Sequence, residues 1–338
     1  MISFIISAIK ILFLLGFLIF IHELGHFTVA KLCKVRVNEF AIGFGPTIWK
    51  KQGKETKYAL RLVPLGGFVK MQGEEERSDE EGSFSKASIP KRIAIVIAGA
   101  TVNIIFALVV YFILTATAGP YVTNEVIQTI DGYPAQELGI EPGDKIIQIN
   151  DKKISNLYEL NDAIQKYNQE INIKIDRNGE IIEYTTVPKA EENNGYKVFF
   201  LGVNLKTAED TFLNRCINGL INVKDFTFSI VDNMKQLFTG HIGVDQMMGP
   251  VGISEVVSKT NGIREFVYML ALISMSLGVT NLLPIPALDG GKILILIIEA
   301  IRRKPMDEKT EINIQLIGFA ILIALSIYVT YNDITRIF

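Results

Sequence analysis

Reactive side chains of two kinds are scarce in this chain of 338 residues, which holds three histidines, His22, His26 and His241, and two cysteines, Cys33 and Cys216. Two cysteines so far apart build neither a disulfide framework nor a thiolate zinc site, which leaves histidine and carboxylate as the side chains able to hold a metal. A surplus of charge of one sign is also missing. The formal net charge of −2 excludes a general role in binding nucleic acid or another polyanion. The N-terminus has no basic stretch ahead of its apolar run and no small-residue cleavage site before His22, so a retained span is expected in place of a signal peptide. Apolar residues, by contrast, are abundant: 49% of the chain is hydrophobic and the mean hydropathy is +0.30. That is too apolar for an ordinary soluble enzyme and suits several membrane spans, in a length able to hold two or three domains.

Two of the three histidines stand in Ile21-His22-Glu23-Leu24-Gly25-His26, directly after the apolar run ILFLLGFLIFI at 11–21. Histidines four apart on a helix project from one face, so both imidazoles can reach one metal ion. The glutamate between them points nearby without taking the same coordination position, as a general base for an attacking water would. The bland alternative is an amphipathic helix end with two solvated histidines. The setting argues against it, because the motif lies among lipid-exposed helices, where ionisable groups are functional by default.

Four apolar segments are long enough to cross a bilayer, which takes about 20 residues per helix. The first covers residues 3–30. With its Lys10 at one interface, His22 and His26 lie about 18–24 Å into a core about 30 Å thick, near the opposite face. Thirteen lysines and arginines between residues 28 and 92 place that stretch in the cytoplasm and the N-terminus outside. Within it Val35 to Phe40 and Tyr58 to Val63 are β-prone, with a turn at Gln52-Gly53-Lys54, so a small β structure is expected near the metal. The acidic run Glu74 to Glu81 reads as a solvated loop. The second span, about 92–117, contains Gly99 and Ala100, which permit close helix packing, and Asn103, which needs a polar partner and either packs or lines the cavity.

Residues 119–205 turn polar and β-prone. Asn178-Gly179 between two alternating runs is a hairpin signal. The order of a short helix, a tight turn, a strand and a second helix from Ala135 to Tyr167 resembles a circularly permuted PDZ domain, which binds extended peptides by strand addition. Residues 206–262 read as amphipathic interfacial helices, notably from Thr211 to Phe238. The third apolar segment, Phe266 to Ile301, is too long for one straight span and is broken by Pro284, Pro286, Gly290 and Gly291, beside Asn281 and Asp289. Unwound backbone at membrane depth is tolerated only where protein or cavity water satisfies it. After Arg302-Arg303-Lys304 a fourth span, about Ile312 to Tyr331, leaves the C-terminus outside.

A catalytic zinc usually takes three protein ligands and a water. The metzincin spacing would need a histidine at position 32, which is Leu32, and no following amphipathic helix offers a well-placed glutamate. Asp289 is the strongest third ligand, freed by unwound backbone to turn inward. His241, beside Gly240 and Gly243, is the other candidate and reads better as a loop histidine. Asn281 could hydrogen-bond a substrate carbonyl or stabilise the oxyanion.

With these residues in place, His22-Glu23-Leu24-Gly25-His26, the Asn-x-x-Pro to Leu-Asp-Gly pattern ending at Asp289-Gly290, the intervening PDZ-like stretch and four spans together resemble the site-2 protease family, in particular bacterial intramembrane zinc metalloproteases of the RseP type. Further matches are Gly43-Phe44-Gly45-Pro46, Gly66-Gly67-Phe68-Val69-Lys70-Met71 and Met248-Gly249-Pro250-Val251-Gly252. The resemblance implies that His22, His26 and Asp289 bind Zn2+ and that Glu23 activates water. It also implies a membrane re-entrant β loop over 35–72 whose edge strand holds substrate extended, with Gly43, Gly45, Gly67, Phe68, Val69, Lys70, Met71 and Asn103 in the substrate-binding set. Two departures stand out: Gly99-Ala100-Thr101 replaces the Gly-Pro that relatives carry before the Asn, and only one PDZ-like domain fits.

The expected architecture is a polytopic α-helical membrane protein. It comprises a first part of the membrane core at 1–118, an extracytoplasmic PDZ-like α+β domain at 119–205, interfacial helices at 206–262 and a second part of the core at 263–338. The expected function is zinc-dependent hydrolysis of peptide bonds in or near the single span of membrane proteins, of the anti-sigma factor or remnant signal peptide class. The expected location is the inner or plasma membrane with the metal towards the cytoplasm. A PDZ-bearing adaptor with a structural metal leaves Glu23 without a task. A metal transporter would show more polar spans than this chain has.

Overall fold

Apolar side chains cover every face of the first long run, so it forms a helix that only lipid or protein can surround: α1, Ile2–Leu32. The computed structural model describes residues 2–337 apart from 75, 77, 167–168, 194–195, 241–242 and 244–246. After α1 come β1 (Val37–Gln52), β2 (Lys57–Met71) and α2 (Ile89–Ala116), then β3 (Val122–Thr129), α3 (Pro134–Glu137), β4 (Lys145–Ile149) and β5 (Lys152–Lys153). They are followed by α4 (Leu157–Lys166), β6 (Ile171–Arg177), β7 (Glu180–Thr186), β8 (Lys189–Asn193), β9 (Tyr196–Phe200), β10 (Val203–Thr207) and α5 (Phe212–Phe238). The chain closes with α6 (Pro250–Ser258), α7 (Ile263–Asn281), α8 (Asp289–Arg302) and α9 (Glu308–Ile337). Among the described residues α1, α2, α7 and α9 are long and apolar enough to cross a membrane. Two compact units result, Met1–Tyr111 with Phe228–Phe338, and Phe112–Thr227.

In the first unit α1 runs through two apolar clusters. Leu14, Leu18 and Ile21 pack with Val257 of α6 and Leu270 of α7. Ala30 packs with Val37, Phe40, Met71 and Phe84, and with Ile95 of α2 and Leu296 of α8. Lys10 on α1 reaches the segment after α6. Its ammonium donates to the Thr260 carbonyl at 2.9 Å, capping the end of α6.

The β segments are longer than the β-prone runs suggest and form one hairpin that doubles back on itself. Glu39 to Ile42 lie opposite Lys70 to Gly67 and also opposite Lys57 to Leu60. The turn closes on the start of the hairpin: Thr56, buried, donates to the Val37 carbonyl at 2.8 Å, and Glu55 accepts the Val37 N–H at 3.2 Å. The fold-back needs left-handed backbone at Gly43 and Gly45, with φ of 88° and 83°. Among the described residues, 67–71 pair with 37–42 alone, so they form an edge.

The third apolar segment is interrupted as its prolines require. α7 ends at Asn281, the chain turns through 282–288, and α8 starts at Asp289. A Cβ at Gly290 would stand 2.2 Å from the Leu283 carbonyl oxygen and one at Gly291 2.3 Å from that of Ile285. Glycine thus lets the loop lie directly over the first turn of α8.

In the second unit the sheet order is β10-β3-β4-β6-β7, with β5 beside β4 and β8 paired with β9 separately. Ile171, Ile173 and Ile175 alternate inward on β6, while Leu160, Ala163 and Ile164 face the same core from α4. Arg177 pairs with Glu180 across Asn178-Gly179, both at positive φ (54° and 92°), a two-residue hairpin turn.

Candidate metal centre

His22 and His26 lie one turn apart on α1, and Asp289 is the first residue of α8, brought inward by the break before it. Nε2 of His22 and Nε2 of His26 are 3.2 Å apart. Asp289 Oδ2 stands 3.2 Å from the first and 3.6 Å from the second. An ion held tetrahedrally by ligands at about 2.0–2.1 Å requires donor atoms roughly 3.3–3.4 Å apart, so the three edges fit one zinc-sized ion. Asp289 Oδ2 is buried without a hydrogen-bond partner. An isolated carboxylate oxygen in such a place is costly, and a cation shared with two imidazoles would satisfy it. The residues present therefore fit the metal.

Both imidazoles are oriented from behind. His26 Nδ1 donates to the Ile95 carbonyl of α2 at 2.9 Å, which leaves the Nε2 lone pair for a metal. Asn103 Nδ2 lies 3.3 Å from Nδ1 of His22, and Asn103 Oδ1 is buried without a partner; exchanging the two ends of the amide would set the oxygen there to accept the Nδ1 hydrogen, which is the tautomer a metal on Nε2 requires. Asn103 is fully buried, and Ser274 of α7 donates to its main-chain carbonyl at 2.9 Å. The partner that Asn103 needs is thus a histidine of the metal triangle.

In the sequence Gly99 reads as a residue that permits close helix packing. A Cβ there would stand 2.4 Å from His26 Nε2 and 2.9 Å from His22 Cε1, so α2 lies flat against both imidazoles. Gly25 allows the same approach from the other side, since its Cβ would meet the Ala98 carbonyl oxygen at 2.6 Å. The signal available was two small residues, one inside the histidine motif and one on the next span.

Glu23 faces the hairpin edge: a Cβ at Gly67 would lie 3.1 Å from Glu23 Cγ and 3.2 Å from Ile19 Cγ2. Beyond Gly67 a cleft of about 860 Å³ opens, lined on one side by Phe68, Val69 and Lys70 and on the other by Ile312, Leu316 and Phe319 of α9. Met71 belongs to the same strand, but its side chain is buried in the core. Gly43 and Gly45 lie in the fold-back, outside the cleft lining. Asn281 is the last residue of α7, and no hydrogen bond joins it to the histidines or Asp289 among the described residues. His241 lies outside the described residues. The acidic run is not uniformly solvated: Glu74 is partly buried in the cleft wall and pairs with Lys292 at 2.6 Å.

Comparison with known proteins gives a consistent result. The profile of peptidase family M50 matches residues 10–325. A chain of Clostridium acetobutylicum, provisionally named a zinc metalloprotease, is 36% identical over 94% of this chain and 94% of its own length. The zinc metalloprotease RasP of Geobacillus kaustophilus is 31% identical over 98% of both chains. The regulator of sigma-W protease RasP of Bacillus subtilis is 29% identical over 99% of this chain and 100% of that one.

Proposed function

This chain belongs to peptidase family M50 and is a zinc metalloprotease of the site-2 type, and on that premise we propose that it cuts single-span membrane proteins within or beside the bilayer, using His22, His26 and Asp289 as zinc ligands and Glu23 as general base. The observation that carries this reading is the triangle of two Nε2 atoms and one orphaned carboxylate oxygen, with edges of 3.2, 3.2 and 3.6 Å. Three protein donors suit a catalytic site, which keeps one position open.

Zinc held there supplies Lewis acidity, polarising a scissile carbonyl and making water nucleophilic near neutral pH. Glu23 takes the proton of the attacking water and passes it to the leaving amine. Asn281, on the segment leading into Asp289, steadies the substrate carbonyl oxygen. A transmembrane helix hides its carbonyls in its own hydrogen bonds and must unwind before hydrolysis. The edge at Gly67–Met71 offers replacement partners, as strand addition does elsewhere. Its position against Glu23 supports Gly67, Phe68, Val69 and Lys70 as the seat of the extended segment.

The strand and helix order of Phe112–Thr227 supports a PDZ-like domain that takes an extended peptide. Basic residues between the first two spans support an orientation with both termini outside and the metal towards the cytoplasm, in the plasma membrane. The Bacillus subtilis relative is named for a regulator of sigma-W, which supports a regulatory membrane protein, such as an anti-sigma factor, as substrate. Remnant signal peptides share the required single apolar span.

The test is Glu23→Gln in the full chain reconstituted with a single-span substrate. Zinc content should stay unchanged while cleavage falls by about 10²–10⁴-fold, the usual contribution of a positioned base. Undiminished cleavage would remove Glu23 from this role.

A further inference from the structure

Asp289, Lys292 and Glu299 lie on one side of α8, at spacings of three and seven. Asp289 enters the metal triangle. Glu299, buried, takes Arg92 of α2 at 2.9 Å and accepts the Met306 N–H at 2.7 Å. Lys292 reaches the segment that follows β2. Its Nζ donates to Glu74 Oε1 at 2.6 Å, while Glu74 Oε2 accepts the N–H of Met71 at 3.4 Å. The same ammonium stands 5.1 Å from the centre of the buried Phe84 ring, and the Arg92 guanidinium approaches that ring at 5.1 Å as well. Lys292, Glu74 and Phe84 all line the cleft that begins beside Gly67.

The edge strand is therefore held at both ends. At Gly67 its backbone lies close against α1, where a Cβ would stand 3.1 Å from Glu23 Cγ and 3.2 Å from Ile19 Cγ2. At Met71 it is tied through Glu74 to Lys292, one turn beyond Asp289 on the ligand helix. Both partners of the pair are partly buried, where an ion pair is less screened than at a free surface. A strand advances about 3.4 Å per residue, so a slip of one residue at this end would move every pairing position by a full peptide unit and reverse the faces of the side chains.

We propose that the Lys292–Glu74 ion pair is a positioning strap that sets the register of the edge strand Gly67–Met71 against the metal triangle, and so decides which substrate bond is cut. This rests on the reading of that strand as the substrate's seat. The pair acts through the strand and takes no part in the proton transfers.

The experiment uses the full-length protein in detergent with a single-span fusion protein, following kcat, KM, zinc content and, by mass spectrometry, the bond cut. Lys292→Met and Glu74→Gln should each keep zinc, raise KM by about tenfold with kcat within about twofold, and spread cleavage to a neighbouring bond. Lys292→Arg should behave as the parent, and the swap Lys292→Glu with Glu74→Lys should restore a single cut. The strap is overturned if Glu74→Gln, which keeps size and shape, retains both the parental KM and the parental bond, or if the swap restores neither. A parallel set of substrates carries single prolines around the cut, each removing one N–H from strand pairing. Proline-bearing substrates that are cut as well as their parent defeat the reading of the strand as the seat. Blocked proline substrates together with a parental KM and an unshifted cut in Glu74→Gln defeat the strap alone.

Discussion

Asp289 combines two demands that seldom meet in one residue: it opens a helix, and its Oδ2 is buried without a hydrogen-bond partner between two imidazole nitrogens. An amide at that position keeps the shape but loses the charge and much of the donor strength. Asp289→Asn should therefore weaken zinc binding by more than the about tenfold to hundredfold that losing a hydrogen-bond partner of a ligand costs. Zinc titration against a competing chelator measures this; normal affinity would assign the third place to another residue. The histidine pair and the glutamate between them could be found from spacing alone, because a helix puts residues four apart on one face. Glu74 could not. It stands in a run of acids that composition marks as solvated, and only its ion pair with Lys292 sets it apart.

Between elements, the decisive contact is α1 against α2, made where Gly25 and Gly99 leave room. Gly99→Ala would place a methyl 2.4 Å from His26 Nε2. Helix backbone does not yield easily, so the imidazoles must move. The expected outcome is loss of most bound zinc and a destabilisation of about 1–3 kcal/mol, as for other overpacked sites. Metal analysis and thermal unfolding of the purified protein check it; full zinc occupancy would show that the helices can separate without cost to the site. The helices themselves were legible. The apolar runs, the prolines at 284 and 286 and the Asn178-Gly179 turn correspond to α1, α2, the interrupted α7 and α8, and the β6–β7 hairpin. The doubled hairpin was only half legible. Its β-prone stretches are visible in the sequence, but the pairing of 39–42 with both 57–60 and 67–70 depends on contacts between distant residues that no local pattern encodes.

For the molecule as a whole, one of the two units carries an acid-sensitive ion pair. In Phe112–Thr227 the buried Asp144 meets Arg177 through both oxygens, at 2.8 and 2.7 Å, and accepts the Glu141 N–H at 2.8 Å. Burial pushes this carboxyl up, but the guanidinium and the amide outweigh it and hold it below the usual carboxylate range. A carboxyl depressed in the folded state stabilises fully above its unfolded value of about 3.9 and loses that contribution as pH falls through the folded value. Amide protection in β4 and β6 should accordingly fall as pH drops below about 4, and Asp144→Asn should flatten that dependence while lowering protection at neutral pH. An unchanged acid profile in the variant would assign the pH sensitivity to other groups.

Composition, periodicity and motif spacing by themselves determined that this chain crosses a membrane, where its helices run, and that a histidine pair with a glutamate stands ready for a metal. These are local properties, set by side-chain polarity and the fixed pitch of the helix. The tertiary structure alone decided that Asp289 comes within 3.2 Å of His22, that Gly99 lies against both imidazoles and that Lys292 holds Glu74 beside the cleft. Those contacts join segments far apart in the sequence, and their distances follow from how the helices pack.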